Sequence, residues 1–316
     1  MPLVLCGLVF AACDGAGGSA FEPEFVVEAF VIAGEPLQPV RLSRTAPLNE
    51  PYDFTALAVR DAEVALELLD EAGGVAERFA YAEDPARPGV YVPTAPRPAL
   101  PLRRYRLDVL PPGGGRISAT TLVPDTFRVV GANTREAVYQ STAQLEITLT
   151  RSLYPGRDQA YFVFSTEALD PVEEQLTPLA ASILDFQEDE LTLEDLRVGA
   201  SPIFNEANYD LNADGTLTIR YPWLAIAFFG PNRLTAHVLG DNLYDYIRSQ
   251  SVQQGGSTFS PGEIPNPIEH LDGARGVFGS YARQTFELFV KRPEEAECAV
   301  IGGAVICGEA EARTDG

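Results

Sequence analysis

From residue 25 onward, short β-prone runs recur, each closed by glycine, proline or a polar turn. This rhythm restricts the fold more than any other feature of the chain. In the run 62–68, Val64, Leu66 and Leu68 share one face and Glu63 and Glu67 the other. That is the period-two pattern of a strand with one dry face. Gly73-Gly74 turns the run, and Val75 to Tyr81 can return beside it. Phe25 to Ile32, Val40 to Ser43, Gly89 to Val92, Tyr105 to Val109 and Ile117 to Val123 have the same character. Strands at this spacing predict an Ig-like or transthyretin-like β-sandwich over 25–125, about 100 residues long. Pro124 closes it.

A second β-rich domain is expected over 126–292, with one or two short helices. Leu145 to Thr150, Tyr161 to Phe164 and Val277 to Val290 read as strands. Thr216 to Phe229 and Arg233 to Leu239 read as a strand pair. Leu176 to Leu184 suits a short helix, and Asn242 to Ser249 another, with Asp241 as its N-cap. The fold class is therefore mainly β. At 46% apolar residues the chain can bury a core.

The first 24 residues read as an address. Residues 2–12 are uncharged and apolar, too few for the roughly 20 residues that span a bilayer. They fit the apolar region of a signal peptide over 1–12. Val9-Phe10-Ala11-Ala12-Cys13 resembles a bacterial lipobox, with a tether over 13–24 behind it. Small residues let a signal peptidase grip an extended backbone. The Cys13 thiol is then the nucleophile that takes the lipid. The expectation is an exported, outer-membrane lipoprotein whose membrane contact is its lipid.

Cys298 and Cys307 flank a hairpin, within the segment 293–316, whose turn is Gly302-Gly303. Counting outward pairs Ile301 with Ala304, Val300 with Val305, Ala299 with Ile306, and Cys298 with Cys307. The cysteines fall on a non-hydrogen-bonded pair, where side chains approach closest. A disulfide there would stabilise by roughly 2–3 kcal/mol in the chain-entropy model. It implies an oxidising compartment.

Formal charge is −22, and Lys291 is the single lysine. So acidic a chain argues against nucleic acid as partner, which needs clustered Lys and Arg. The acidity reads as a solubility feature.

At this point the chain resembles DUF4249, a domain-of-unknown-function family of Bacteroidota lipoproteins. Three segments carry the likeness. The first is Val27-Glu28-Ala29-Phe30-Val31 with Gly34 and the Leu42-Ser43-Arg44 strand. The second is Asp61 to Leu66, Pro88-Gly89-Val90-Tyr91, Tyr105-Arg106-Leu107 and Ala119 to Pro124. The third, the most specific, is Asn242-Leu243-Tyr244-Asp245-Tyr246, Asn266-Pro267-Ile268 and Gly273 to Gly279. The resemblance implies an exported, lipid-anchored protein, often encoded beside outer-membrane receptors of the TonB-dependent kind. It brings no catalytic residues.

Few constellations carry chemistry. Asp210-Leu211-Asn212-Ala213-Asp214-Gly215 matches the first half of a Ca²⁺ loop, and Thr216 could add a carbonyl. Tyr221 stands where the closing bidentate glutamate would be, and an Asx-rich hairpin turn is the competing reading. No other cofactor is implied. Hydrolase frames fail: Phe278 and Ala282 occupy the glycine positions around Ser280. His237 and His270 are the only histidines and lack metal-ligand spacing. Tyr221, Trp223, Tyr244 and Tyr246 are candidates for a recognition surface or for core. The Gly273–Gly279 stretch reads as a binding loop or a tight corner. The expected function is a non-enzymatic accessory protein that binds a ligand or partner. The alternative is a structural or adhesive module, stiffened by Ca²⁺.

Overall fold

The computed structural model describes residues 21–47, 49–186, 191–251 and 267–293, together with Ala299–Ile301 and Ala304–Ile306. The fold is mainly β, with a sandwich first and a second β-rich unit after it, as the strand rhythm predicts.

The first sandwich uses β1 (Phe25–Ile32), β2 (Val40–Arg44), β3 (Glu63–Leu69), β4 (Val75–Glu83), β5 (Val90–Pro93), β6 (Arg104–Leu110) and β7 (Ile117–Leu122). A four-residue helix, α1 (Phe54–Leu57), sits between β2 and β3. The sheet order includes β1-β2-β5-β4 and β4-β3-β6-β7. β4 belongs to both layers: Val75 to Ala80 pair with β3, and Tyr81 to Glu83 pair with β5. Inward positions Val64, Leu66, Leu68, Tyr105, Leu107 and Val109 are all buried.

The second sandwich uses β8 (Val129–Ala132), β9 (Glu136–Val138), β10 (Glu146–Leu149), β11 (Tyr161–Ala168), β12 (Val198–Ala200), β13 (Phe204–Asn205), β14 (Leu217–Arg220), β15 (Gly230–Leu239) and β16 (Arg275–Lys291). Its helices are α2 (Pro178–Phe186) and α3 (Asp241–Ser251). A three-stranded layer, β14-β10-β8, covers the layer built on β11, β15 and β16. Ile147, Leu149, Leu217 and Ile219 from one layer join Phe162, Phe164, Leu234 and Val238 from the other in one core. Phe164 and Tyr221 meet edge to face at 5.7 Å across it.

β14 and β15 are not the expected strand pair. β14 pairs with β10, and β15 pairs with β11 and β16. The reason is local: Pro222 has no N–H to continue the ladder, and Trp223–Ala225 form a 3-10 turn. The chain therefore crosses from one layer to the other.

β16 joins the sandwiches. Arg275 to Tyr281 run parallel to β1, and Tyr281 to Val290 run antiparallel to β15. A strand from well beyond residue 125 thus completes the first sandwich. The Gly273–Gly279 stretch is mostly strand, and neither a loop nor a simple corner. Gly276 shows why glycine is needed: its φ is +106°, and a Cβ would lie 2.1 Å from the Val27 carbonyl oxygen.

The terminal strands β17 (Ala299–Ile301) and β18 (Ala304–Ile306) pair in the register counted outward from the glycines. Cys298, Cys307 and Cys13 lie outside the described residues.

Candidate functional surface around helix α3

Glycine and asparagine fix where α3 starts. The Tyr244 N–H donates to the Gly240 carbonyl at 3.0 Å, so Gly240 holds the capping place expected of Asp241. Asp241 is the first helical residue and pairs with Arg157 at 2.7 Å. Gly240 admits no side chain, because a Cβ would lie 2.3 Å from Ser280 Oγ. The Asn242 amide donates to the Thr120 carbonyl at 2.9 Å and to the Phe278 carbonyl at 3.0 Å. One side chain thus ties α3 to β7 and β16. Ser280, buried beside it, bonds Thr121 Oγ1 at 2.9 Å and donates to the Leu122 carbonyl at 2.8 Å.

Held this way, α3 lays its apolar side on the outer face of the large sheet. Leu243, Leu239 and Val277 form a small second core. Phe30, Tyr161, Tyr244, Tyr246, Ile247 and Tyr281 pack against it. Tyr246 is half-buried, and its hydroxyl accepts from Gln250 at 2.9 Å.

A stack of rings and guanidinium groups runs along this face. Arg157 lies 3.8 Å from the Tyr154 ring and 4.7 Å from the Tyr161 ring. Tyr161 stacks on Tyr244 at 3.9 Å and 11°. Arg248 lies 5.6 Å from the other end, over Tyr244. Each guanidinium–ring contact contributes about 0.5–1 kcal/mol at an exposed site. Sequence reasoning found Tyr244 but missed Tyr154, Arg157, Tyr161 and Arg248. One signal was available, since Tyr244 and Arg248 are four apart on one helix face.

Of three open hollows on the molecule, one borders this stack. It measures about 390 Å³ and lies against Tyr161, Tyr244, Arg248, Ser201, Asn205 and Ile203. A second, of about 550 Å³, is lined by Phe30, Ile32, Phe54, Pro88 and Tyr281. At its polar side Arg41 pairs with Glu28 at 2.9 Å and covers the Phe54 ring at 4.3 Å. The third, of about 620 Å³, is polar, with Ser165, His237, Glu35 and Arg283. Tyr281 links the second and third hollows, meeting Phe30 at 6.1 Å and His237 at 5.5 Å.

Ser165 Oγ and His237 Nε2 are 3.0 Å apart in the third hollow. Burial, helped by Arg283, pushes the imidazole down to about 4, and Glu35 opposes that only in part. His237 is therefore neutral near pH 7 and a weak base. Arg283 is occupied by a two-pronged pair with Glu35, both contacts at 2.7 Å.

The remaining candidates sit elsewhere. Tyr221 is fully buried and bonded to Thr166, so it is core and lines no surface. Its phenol is pushed up to about 12 by burial. Trp223 is partly buried and meets Tyr139 edge to face at 5.8 Å. At the Asp210–Thr216 loop, Asn212 Nδ2 donates to Thr216 Oγ1 at 2.8 Å and to Thr218 Oγ1 at 3.0 Å. Asp214 Oδ1 accepts from Thr216 N at 3.0 Å and Thr216 Oγ1 at 2.6 Å. These bonds hold the Asp214 carboxyl below the usual range. Asp210 is exposed. The geometry is that of an Asx-stabilised hairpin turn with Gly215 at φ +78°. Among the described residues, no three His, Cys, Asp or Glu side chains are grouped as a metal site. His270 Nε2 is 2.8 Å from Asp245 Oδ2. No described helix is long and apolar enough to cross a membrane.

Fold and surface together define a tandem β-sandwich protein whose two sandwiches share one strand. The chain belongs to the family described as a domain of unknown function, DUF4249, whose model matches residues 17–287. No curated protein sequence matches it. Solved structures are similar only distantly. A Salmonella alpha-2-macroglobulin reacted with methylamine is 11% identical at a TM-score of 0.23, over 85% of this chain and 15% of that one. A tetra-tandem repeat from the extending region of a large adhesion protein is 9% identical at 0.21, over 84% and 49%. The N-terminal Ig1-2 module of the Drosophila receptor protein tyrosine phosphatase DLAR is 9% identical at 0.20, over 86% and 100%. This chain therefore spans under half the length of the first two.

Proposed function

We propose that the protein is a non-enzymatic accessory protein of the outer envelope, exported and anchored by lipid at Cys13. It binds a ligand or partner on the α3 face, and the partner is an outer-membrane receptor of the TonB-dependent kind. The observation that carries the reading is the Tyr161–Tyr244 stack beside an open hollow lined also by Ile203 and the Asn205 amide. Aromatic rings give contact area at low entropy cost, and the polar groups give direction. The weakly basic His237 supports a non-enzymatic role, because a general base works best with a pKa near the operating pH. The expected Cys298–Cys307 bridge fits export.

Purification from native membranes in mild detergent tests the proposal. An envelope receptor should accompany the full chain and be lost with Tyr244→Ala. Recovery of the wild-type chain without any envelope partner would overturn it.

A structural or adhesive module is the second reading. It is favoured by β16, which builds both sandwiches into one sheet and so stiffens the pair. Ca²⁺-dependent thermal stability, traced to Asp210, Asn212 and Asp214, would mark that reading.

A further inference from the structure

Helix α2 is the reverse of α3. Its start is tied down: Thr177 N donates to the Ala227 carbonyl at 2.8 Å, and Thr177 Oγ1 to the Ile226 carbonyl at 3.1 Å. Ala180, the first small residue after that anchor, is the only buried residue of the helix. Leu179 and Ile183 are each 40% exposed and Phe186 is 88% exposed. Their spacing of four and three places all three on one side of the helix. Val198, 56% exposed on β12, lies beside Leu179 and Ile183. Between Leu179, Ile183, Val198 and Ile226 is a small hollow of about 130 Å³. Contiguous exposed apolar surface rimmed by polar groups marks an interaction site. Anchors spaced by four and three residues are those of a helix that lies in a partner's groove.

Charge selects the occupant. Residues 166–200 carry ten carboxylates and one arginine. Among the described residues, Glu173, Glu174, Asp185, Glu194 and Asp195 are exposed around the helix. Arg197 is tied to Glu167 at 2.9 Å and Glu194 at 3.0 Å. Arg292 donates to the Glu174 carbonyl. Such a rim repels anionic lipid and nucleic acid. It also repels a second copy of this chain, whose own formal charge is −22.

We propose that α2 is a docking helix for another protein, one whose apolar groove has a basic rim. Leu179, Ile183 and Phe186 enter the groove, and the carboxylates meet the rim. This surface is separate from the α3 face and does not rest on the function proposed for that face.

A photo-crosslinking side chain at Phe186 in the full-length chain, in its native cells, tests this. A crosslinker at the exposed Val75 of the first sandwich is the control. The expected result is one adduct with a different protein, absent at Val75. The adduct should fall at least tenfold in Leu179→Ser/Ile183→Ser and in Glu173→Lys/Asp185→Lys, and should fall with added salt. Thermal unfolding should confirm that both double variants stay folded. Adducts with the same chain or with lipid would overturn the proposal. So would an adduct indifferent to charge reversal and salt, or no adduct at all. Tyr244→Ala should leave the adduct intact, which separates this surface from the α3 face.

Discussion

Helices α2 and α3 are both short, and each carries an apolar stripe, yet they treat it oppositely. α3 begins at a glycine that nothing else could replace and is pinned to two strands by Asn242. Leu243 is then pressed against Leu239 and Val277. Among the described residues, α2 is pinned at its start, through Thr177 and the Gln175 carbonyl, and its stripe is part-covered at Leu179 and Ile183 and almost fully exposed at Phe186. An apolar stripe therefore does not by itself say where a helix is buried. What decides is whether the chain on either side aims the stripe at a sheet. The stripe on α3 helps to hold this molecule together. The stripe on α2 leaves apolar surface, above all Phe186, available to something else.

The largest effect should come from breaking α3. Leu243→Ala removes the center of a small satellite core, and its cost should be about 2 kcal/mol, the low end for a core leucine. Chemical denaturation measures it. A loss below about 0.5 kcal/mol would mean that α3 is only loosely seated.

A smaller effect should appear beside α3 on acidification. His237 is held near 4 in the folded chain, mainly by burial and then by Arg283. Unfolded, it would take a proton near 6.5. The unfolded state thus binds more protons between those values, so stability should fall as pH drops from about 6.5 towards 4. His237→Gln should remove that part of the slope, about 1 kcal/mol after allowing for partial exposure. Carboxylates titrate in both proteins, so the difference between the two curves is the readout. Parallel curves would show that His237 is protonated as easily folded as unfolded.

Much of this architecture can be read locally, and some of it cannot. The alternation of Val64, Leu66 and Leu68 against Glu63 and Glu67 placed a strand correctly. It could not show that Glu67 is covered by Arg78 and Arg106, because those arginines come from neighboring strands. The misassigned pairing of β14 with β15 turned on Pro222, which ends a ladder without saying where the chain goes next. β16 was legible as a strand, but its division between two sandwiches at Tyr281 is a property of topology. Tyr221 and Tyr244 are each followed two residues on by another aromatic, Trp223 and Tyr246, and this local pattern offers both as core or surface. Only packing separates the core ring from the surface one. The Asp210–Thr216 turn was legible because its bonds are made within a few residues.

The contrast between the two helices is tested most directly by paired denaturation of the full chain. Leu179→Ser/Phe186→Ser in α2 is compared with Leu243→Ala in α3. The α2 variant should unfold within about 0.5 kcal/mol of wild type, as surface changes do, while Leu243→Ala loses about 2 kcal/mol. An α2 variant that loses as much as Leu243→Ala would show that the stripe belongs to the protein's own core, and would contradict the account.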